Sequence, residues 1–187
     1  MNSLKHHLLI SVPHMNDEIF ERSVIYVCEH NLEGAMGLII NKPLHNKRFN
    51  DLKNSNRTNS DHFQNSNMEL YFGGPILVEK ILALHTNELN IETAIPVNNK
   101  ISISSGEEIF RNIKNNKNNK NLNYKLFCGH SGWSPGQLEK EIENGDWLLQ
   151  SSKIDLLFNL TAEKIWENAT ESLGINIIDI SNMSGSA

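Results

Sequence analysis

Two apolar runs rich in β-branched residues constrain the fold most, because only a short polar segment separates them. The first run, Ser23–Cys28, reads SVIYVC, and the second, Ala35–Ile40, reads AMGLII. β-Branched residues favour strands, and two strands joined by a short Asn/Gly turn form a hairpin. Gly34 and Gly37 indicate a bulge or a close approach of another backbone. We therefore expect an antiparallel hairpin over residues 23–40.

Short apolar runs elsewhere predict further strands, and few segments show a helical period. We expect strands over 8–13, 69–72, 81–85, 91–97, 101–103, 124–128, 147–149 and 154–158. Many short strands without regular β-α-β alternation indicate the α+β class rather than a doubly wound sheet. No linker divides the chain, so we expect a single domain over residues 1–180.

Three helices are predicted. The first, over 106–114, has an apolar stripe formed by Ile109, Phe110 and Ile113. For the second, Ser134 is the expected N-cap, Pro135 the first helical residue and Gly145 the end. The last runs from Ala162 to Leu173 and is capped by Gly174.

The composition and net charge argue against a membrane protein and against a nucleic-acid-binding protein. Of the 187 residues, 39% are apolar, and no run approaches the ~20 apolar residues of a membrane span. The apolar run at the N-terminus is too short for a signal sequence. We therefore expect a cytoplasmic protein with no membrane partner. The net charge of −5 argues against direct nucleic-acid binding, since proteins that bind nucleic acids present a cationic surface.

Asparagine-rich segments are interpreted as solvated loops. Residues 45–67 lose all periodicity and are expected to form a flexible loop. The basic segment Lys114–Lys120 is diluted by asparagine, so a loop is favoured there over a phosphate contact. Residues 181–187 are expected to be a disordered tail.

A Cys-x-His pattern occurs twice, as Cys28-Glu29-His30 and Cys128-Gly129-His130. Two thiolates and two imidazoles would suit zinc, and a thiol could serve redox chemistry. The favoured interpretation is that both cysteines are small buried apolar residues. The phosphate-loop, dinucleotide-binding, H-E-x-x-H and G-x-S-x-G patterns are absent from the sequence. We therefore predict no catalytic residue, metal or cofactor.

The segment from Gly129 to Glu139 has two interpretations. Its predicted helix start could bind an anion through free backbone N–H groups. Alternatively it is a corner that defines the fold, with Trp133 filling the core, and this interpretation is favoured. Ser131 as a nucleophile and the carboxylate pairs Glu139/Glu143 and Asp17/Glu18 as acid–base groups are weaker alternatives.

Several motifs together resemble the AlgH/YqgE family of uncharacterised bacterial proteins. They are Phe20-x-x-Ser23-Val24-x-Tyr26-x-Cys28-Glu29-His30-Asn31, Gly34–Pro43, Phe72-Gly73-Gly74-Pro75, Leu84-His85, Gly132-Trp133-x-Pro135-Gly136-Gln137-Leu138-Glu139-x-Glu141-Ile142, Trp147-Leu148 and Trp166. The resemblance implies a single domain with a small β-barrel and a branched mixed sheet surrounded by about three main helices. It implies no established enzyme activity, and the family includes a protein named as a regulator of alginate synthesis.

The resulting expectation is a regulatory or interaction protein without enzymatic activity, whose partner is an unknown protein. The alternative is a binder of, or enzyme acting on, a small anionic ligand at the helix start near Trp133–Glu139. In either case the predicted surface comprises Glu29, His30, Asn41, Lys42, Gly132, Trp133, Ser134, Gly136, Gln137 and Glu139.

Overall fold

The computed structural model describes residues 3–44, 69–115 and 123–174. The predicted loop 45–67, the tail 181–187 and residues 116–120 of the basic segment lie outside the described residues. The strands are β1 (His7–Ser11), β2 (Val24–Asn31), β3 (Gly34–Ile39), β4 (Leu70–Phe72), β5 (Ile76–Thr86), β6 (Ile95–Pro96), β7 (Ile101–Ser105), β8 (Tyr124–Trp133) and β9 (Trp147–Ser151). The α-helices are α1 (Gly106–Asn115), α2 (Gln137–Glu143), α3 (Ile154–Phe158) and α4 (Ala162–Ser172), and a 3₁₀ turn spans Asn87–Leu89.

All nine strands belong to one curled sheet in the order β6-β7-β5-β8-β3-β2-β1-β9. β4 lies off this path and pairs with β8 in parallel, whereas the other pairs are antiparallel. The first half of β8 pairs with β4 and β5, and its last residues pair with β3. β8 is therefore the branch point of the sheet, and the expected α+β fold with a branched mixed sheet is confirmed.

Both faces of the central strands are covered, which explains why they read as continuous apolar runs. Along β1, Leu8 and Ile10 pack in a cluster with α3 and α4, whereas Leu9 packs on the opposite face in a cluster with α2. A third cluster joins α1 to β5 and β8. We call these the α4 cluster, the α2 cluster and the α1 cluster.

The predicted hairpin is confirmed, with Asn31 opposite Gly34 and a two-residue loop between the strands. The indicated bulge lies on β2, where the register shifts between Val27 and Glu29. At Gly37 a Cβ atom would lie 3.0 Å from the carbonyl oxygen of Tyr26, so the close approach of another backbone is also confirmed.

Two predicted strands are wrong or too long. Residues 154–158 form the helix α3, with Leu157 buried in the α4 cluster. A five-residue apolar run fits either period, so its sequence could not separate the two states. Of the predicted strand 91–97, only Ile95–Pro96 pairs with a neighbour. The described residues contain four α-helices, of which α3 has five residues, in agreement with the expected set of about three main helices.

Candidate functional site

The tip of the β2–β3 hairpin presents an exposed apolar side chain on an ordered backbone. Leu32 and Glu33 form its loop, and the Leu32 side chain is 95% exposed. Asn31 holds the loop: its Oδ1 accepts a hydrogen bond from Glu33 N–H at 2.7 Å, and its Nδ2 donates to Glu29 Oε1 at 3.2 Å. The turn conformation is thus fixed by the chain's own side chain.

Pairing of β3 with β8 brings the hairpin against the segment that follows β8. Ala35 lies opposite Trp133, and Gly34 adopts a φ of 127° beside it. A Cβ atom at Gly34 would overlap the Trp133 carbonyl oxygen, so only glycine fits this approach without a shift. The hairpin tip and the residues after Trp133 therefore form one surface.

The predicted helix cap at Ser134 is wrong. Gln137 N–H donates to the Ser134 carbonyl at 3.0 Å, and Gly136 has φ 73° and ψ 0°. These values describe a type II turn with Pro135 and Gly136 at its centre, and α2 begins only at Gln137. A proline followed by glycine suits this turn better than a helix start, because the glycine takes the left-handed position.

The turn changes what this segment offers to a ligand. Ser134 N–H is occupied by the Gln137 side-chain Oε1 at 3.0 Å, and α2 is only seven residues long. The Glu139 and Glu141 side chains add carboxylates to the same short helix. The geometry therefore gives little support to an anion at this position.

A single carboxylate, that of Glu141, anchors α2 to the sheet. Its Oε2 accepts hydrogen bonds from the indole N–H groups of Trp133 at 2.7 Å and Trp147 at 2.8 Å. Its Oε1 accepts one from Gln137 Nε2 at 2.9 Å. The two buried indole rings meet edge to face, with centroids 6.5 Å apart. This Glu141 anchor was missed in the sequence, where the only signal was a glutamate between two tryptophans.

A second link joins α2 to the hairpin. His30 Nδ1 accepts a hydrogen bond from Leu4 N–H at 3.0 Å, so the ring proton is on Nε2, which donates to Glu139 Oε1 at 2.9 Å. The Glu139 pKa is lowered, first by a hydrogen bond from its own backbone N–H and then by His30. The predicted residues His30 and Glu139 are thus brought together in the structure.

Asn41 and Lys42 lie away from this surface. The Asn41 side chain bonds Val24 N–H and the Arg22 carbonyl, both at 2.8 Å, at the start of β2. Lys42 donates to the Ile19 carbonyl in the same region. Since the hairpin strands are about 20 Å long, these two residues are at its opposite end. The ten predicted residues therefore do not form one continuous site.

The two Cys-x-His segments do not converge. Cys28 packs in the α4 cluster and Cys128 in the α1 cluster. Burial raises the pKa of the Cys28 thiol and raises that of Cys128 to about 12. Among the described residues, no group of three or more His, Cys, Asp and Glu side chains could hold a metal ion.

Three of the remaining catalytic alternatives, Ser131, Asp17 and Glu139, have structural partners. Ser131 is buried and donates to the Gly73 carbonyl at 3.3 Å. Asp17 accepts hydrogen bonds from the N–H groups of Ile19 and Phe20 and so closes a turn. Glu139 pairs with His30, while Glu143 is exposed on α2. In residues 3–44, 69–115 and 123–174, no helix has both the length and the apolar character needed to cross a membrane.

The family model and the related sequences point to the same protein family. A family model described as AlgH-like matches residues 8–178. A UPF0301 protein from Shewanella frigidimarina is 37% identical over 188 residues, and one from Shewanella loihica is 36% identical over 188 residues. In both cases the alignment covers 100% of this chain and 100% of the relative.

Solved structures agree with the sequence comparison. The solution structure of the AlgH protein from Pseudomonas aeruginosa superposes with a TM-score of 0.71 at 29% identity. It matches 100% of this chain and 95% of that chain. A protein from Corynebacterium diphtheriae shares the fold, with a TM-score of 0.65 at 23% identity over 92% of this chain and 87% of that chain.

Proposed function

The chain belongs to the AlgH-like family, and we propose that it acts by binding another protein, in a regulatory role, rather than by catalysis. The surface proposed for this contact is the tip surface, consisting of Glu29–Glu33, Gly132 and the turn Ser134–Gln137. The observation that carries the proposal is Leu32, a large apolar side chain with 95% of its surface exposed.

Further exposed apolar groups lie next to the tip surface. Ile76, at the start of β5, lies against Gly132 and is 41% exposed, and Leu77 beside it is also exposed. Gly132 is itself exposed between β3 and this segment. An apolar group with polar neighbours is the composition of a protein-binding surface.

The tip is also ordered before any partner arrives. Asn31 holds the loop, and the Glu141 anchor and the His30–Glu139 hydrogen bond attach α2 beside it. A surface that is already in its bound conformation loses little conformational entropy on association. This is what favours a binding role for the hairpin tip over a role as a surface loop.

Charge indicates what kind of partner fits. Between residues 28 and 36 the hairpin carries Glu29 and Glu33, both exposed, and neither lysine nor arginine. A complementary protein would present an apolar pocket for Leu32 with lysine or arginine side chains at its rim. The alternative, a small anionic ligand near Trp133–Glu139, would have to overcome the carboxylates of Glu139 and Glu141.

The experiment compares two substitutions of exposed apolar residues. Tagged protein is used to capture partners from extract of cells that express it natively, with Leu32→Asp and Ile95→Asp as variants. Ile95 is 66% exposed on β6 and serves as the matched control. We expect a specific captured protein to be lost with Leu32→Asp and retained with Ile95→Asp.

Two outcomes would contradict the proposal. Equal capture by both variants would show that the tip is not the contact. A thermal shift produced by anionic metabolites in wild-type protein, and abolished by Gln137→Ala, would favour the ligand function instead. Circular dichroism of each variant verifies that the fold is intact.

A further inference from the structure

A cleft of about 610 Å³ lies near the opposite end of β8 from the tip surface. Lys125 and Trp133 are eight positions apart on this strand, which corresponds to about 26 Å. The cleft is formed between β4, β8 and the segment that joins α3 to α4. The residues on its walls that matter here are Glu69, Tyr71, Tyr124, Lys125, Phe158 and Glu163.

The unusual group in this cleft is the amine of Lys125. The residue is 8% exposed, although lysine is almost never buried unless it is paired. Its Nζ donates a long hydrogen bond of 3.4 Å to the Ile40 carbonyl and lies 4.6 Å from the centroid of the Tyr71 ring. No carboxylate oxygen of the described residues lies within 4.0 Å of it.

The fold explains how a lysine comes to be buried here. Lys125 lies opposite Leu84 of β5, and its neighbour Leu126 lies opposite Leu70 of β4. Because β8 has partners on both sides and helices on both faces, a side chain on the α4 side of this strand points into the interior. Lys125 also lines the cleft, which brings this buried side chain next to a space that a ligand could enter.

The walls of the cleft restrict what could bind beside the amine. Tyr71, Tyr124, Phe158 and Leu160 supply aromatic and apolar surface. The exposed carboxylates of Glu69 and Glu163 also line it, and Tyr71 donates its hydroxyl to Glu69 Oε2 at 2.7 Å. Two carboxylates against one ammonium disfavour an anionic ligand, and the aromatic and apolar walls favour an uncharged one.

We propose that this cleft binds a neutral aldehyde or ketone with an apolar or aromatic body and that Lys125 forms a reversible imine with it. The Nζ lone pair attacks the carbonyl carbon, and the carbonyl oxygen leaves as water after taking two protons, so that a C=N bond replaces C=O. No oxidant or reductant is required, and hydrolysis returns both reactants.

The electrostatics of the site support this chemistry. Burial lowers the pKa of the Lys125 ammonium to about 8 from the ordinary value of 10.5, against a small opposing effect of Glu69. A larger share of this amine is therefore unprotonated near neutral pH than at the ordinary lysine pKa of 10.5, and only the unprotonated amine is a nucleophile.

The test uses benzaldehyde as the probe with sodium cyanoborohydride, which reduces any imine to a stable secondary amine. Wild-type protein is treated at pH 7.5, and the labelled lysines are identified by peptide mass spectrometry. Lys140 and Lys153 are exposed and act as internal controls in the same molecule. We expect Lys125 to be labelled at least tenfold faster than either control.

The charge preference is tested with a matched pair of probes. 4-Formylbenzoate has the same body as benzaldehyde with an added carboxylate. We expect it to label Lys125 at least threefold more slowly than benzaldehyde, with a smaller difference at Lys140 and Lys153. Lys125→Arg, which keeps the charge but not the nucleophile, should lose the fast label.

Either of two results would overturn the proposal. Labelling of Lys125 at the rate of the exposed lysines, or slower, would mean that the amine is only a buried structural group. A preference for the anionic probe at Lys125 would refute the assignment of a neutral ligand. Both results come from wild-type protein, so neither depends on the folding of a variant.

Discussion

The two ends of β8 differ in how well a charged side chain is matched by its surroundings, with Glu141 partly buried at one end and Lys125 buried at the other. At the Trp133 end, the Glu141 carboxylate is matched by two indole donors and one amide donor. At the Lys125 end, the ammonium has a carbonyl at 3.4 Å and the face of a tyrosine. A matched charge stabilises the structure around it, whereas a poorly matched one shifts its pKa and becomes reactive. The first end suits a rigid binding surface and the second suits chemistry.

The largest effect is expected from removing the Glu141 anchor. Glu141→Ala leaves three donors without their acceptor, two of them on buried indole rings. We expect the two indole hydrogen bonds to account for a loss of about 3 kcal/mol in the free energy of unfolding, at about 1.5 kcal/mol each for a charged acceptor. Gln137 is exposed, so its amide can bond to water instead. Urea denaturation followed by tryptophan fluorescence measures it.

Glu143→Ala is the control for that comparison, because Glu143 is exposed on the same helix. It should change the free energy of unfolding by less than about 0.5 kcal/mol. If the two variants were equally stable, Glu141 would not be the residue that holds α2 to the sheet.

The Lys125 end should destabilise the fold near neutral pH and lose this penalty as the pH rises. Because the folded pKa of about 8 lies below the unfolded value of 10.5, the unfolded chain binds more protons between these values. Stability should therefore rise between about pH 8 and pH 10.5, by at most about 3 kcal/mol. Lys125→Met should remove this rise, which unfolding curves of both proteins at pH 7.5 and pH 10 would reveal. An identical rise in both proteins would rule out Lys125 as its source.

A smaller effect is expected at the His30–Glu139 link. Glu139→Gln replaces a charged acceptor with a neutral one and should cost about 1 kcal/mol at pH 7. Because the Glu139 pKa is lowered in the folded state, its contribution is present above the unfolded value of 4.5 and is lost as the pH falls through the folded value. The difference between wild type and variant should therefore shrink in acid.

Glu29→Gln provides the comparison for Glu139, since Glu29 is an exposed hairpin glutamate with a 3.2 Å hydrogen bond from Asn31. Its effect should be close to zero at both pH values. Thermal unfolding of both variants and wild type at pH 7 and pH 3.5 measures the two effects. If Glu139→Gln and Glu29→Gln changed stability equally, Glu139 would not be a residue that links α2 to the hairpin.

The smallest effect on stability is expected at the tip itself. Leu32→Ser removes a side chain that makes almost no contact, so the free energy of unfolding should change by less than about 0.5 kcal/mol. A loss above 1 kcal/mol in urea denaturation would show that Leu32 packs within the fold and is not available to a partner.

The sequence predicts the scaffold of the tip surface better than its details. The hairpin follows from two β-branched runs and a polar turn, which is local information. Serine and proline at 134 and 135 favour a helix cap, yet Gly136 makes the segment Ser134–Gln137 a type II turn. Asn41 and Lys42 follow the hairpin closely in the sequence, but in the structure they lie at the end of the hairpin opposite its tip.

The cleft could not be predicted, for a different reason. In the strand Tyr124-Lys125-Leu126-Phe127, a lysine between apolar residues is typical of a solvent-facing position. It is buried because β8 is the branch point, and that follows from the partners of β4, β5 and β3 rather than from any local pattern. The Glu141 anchor likewise depends on Trp147, which a separate strand brings into contact.

The most direct test of a binding role for the tip is photo-crosslinking in cells that express the protein natively. A photoreactive amino acid replaces Glu33 in one strain and Ile95 in another, both at exposed positions. The account predicts a discrete crosslinked product with one other protein from position 33 and none of that product from position 95. The same products from both positions, or none from position 33, would contradict it.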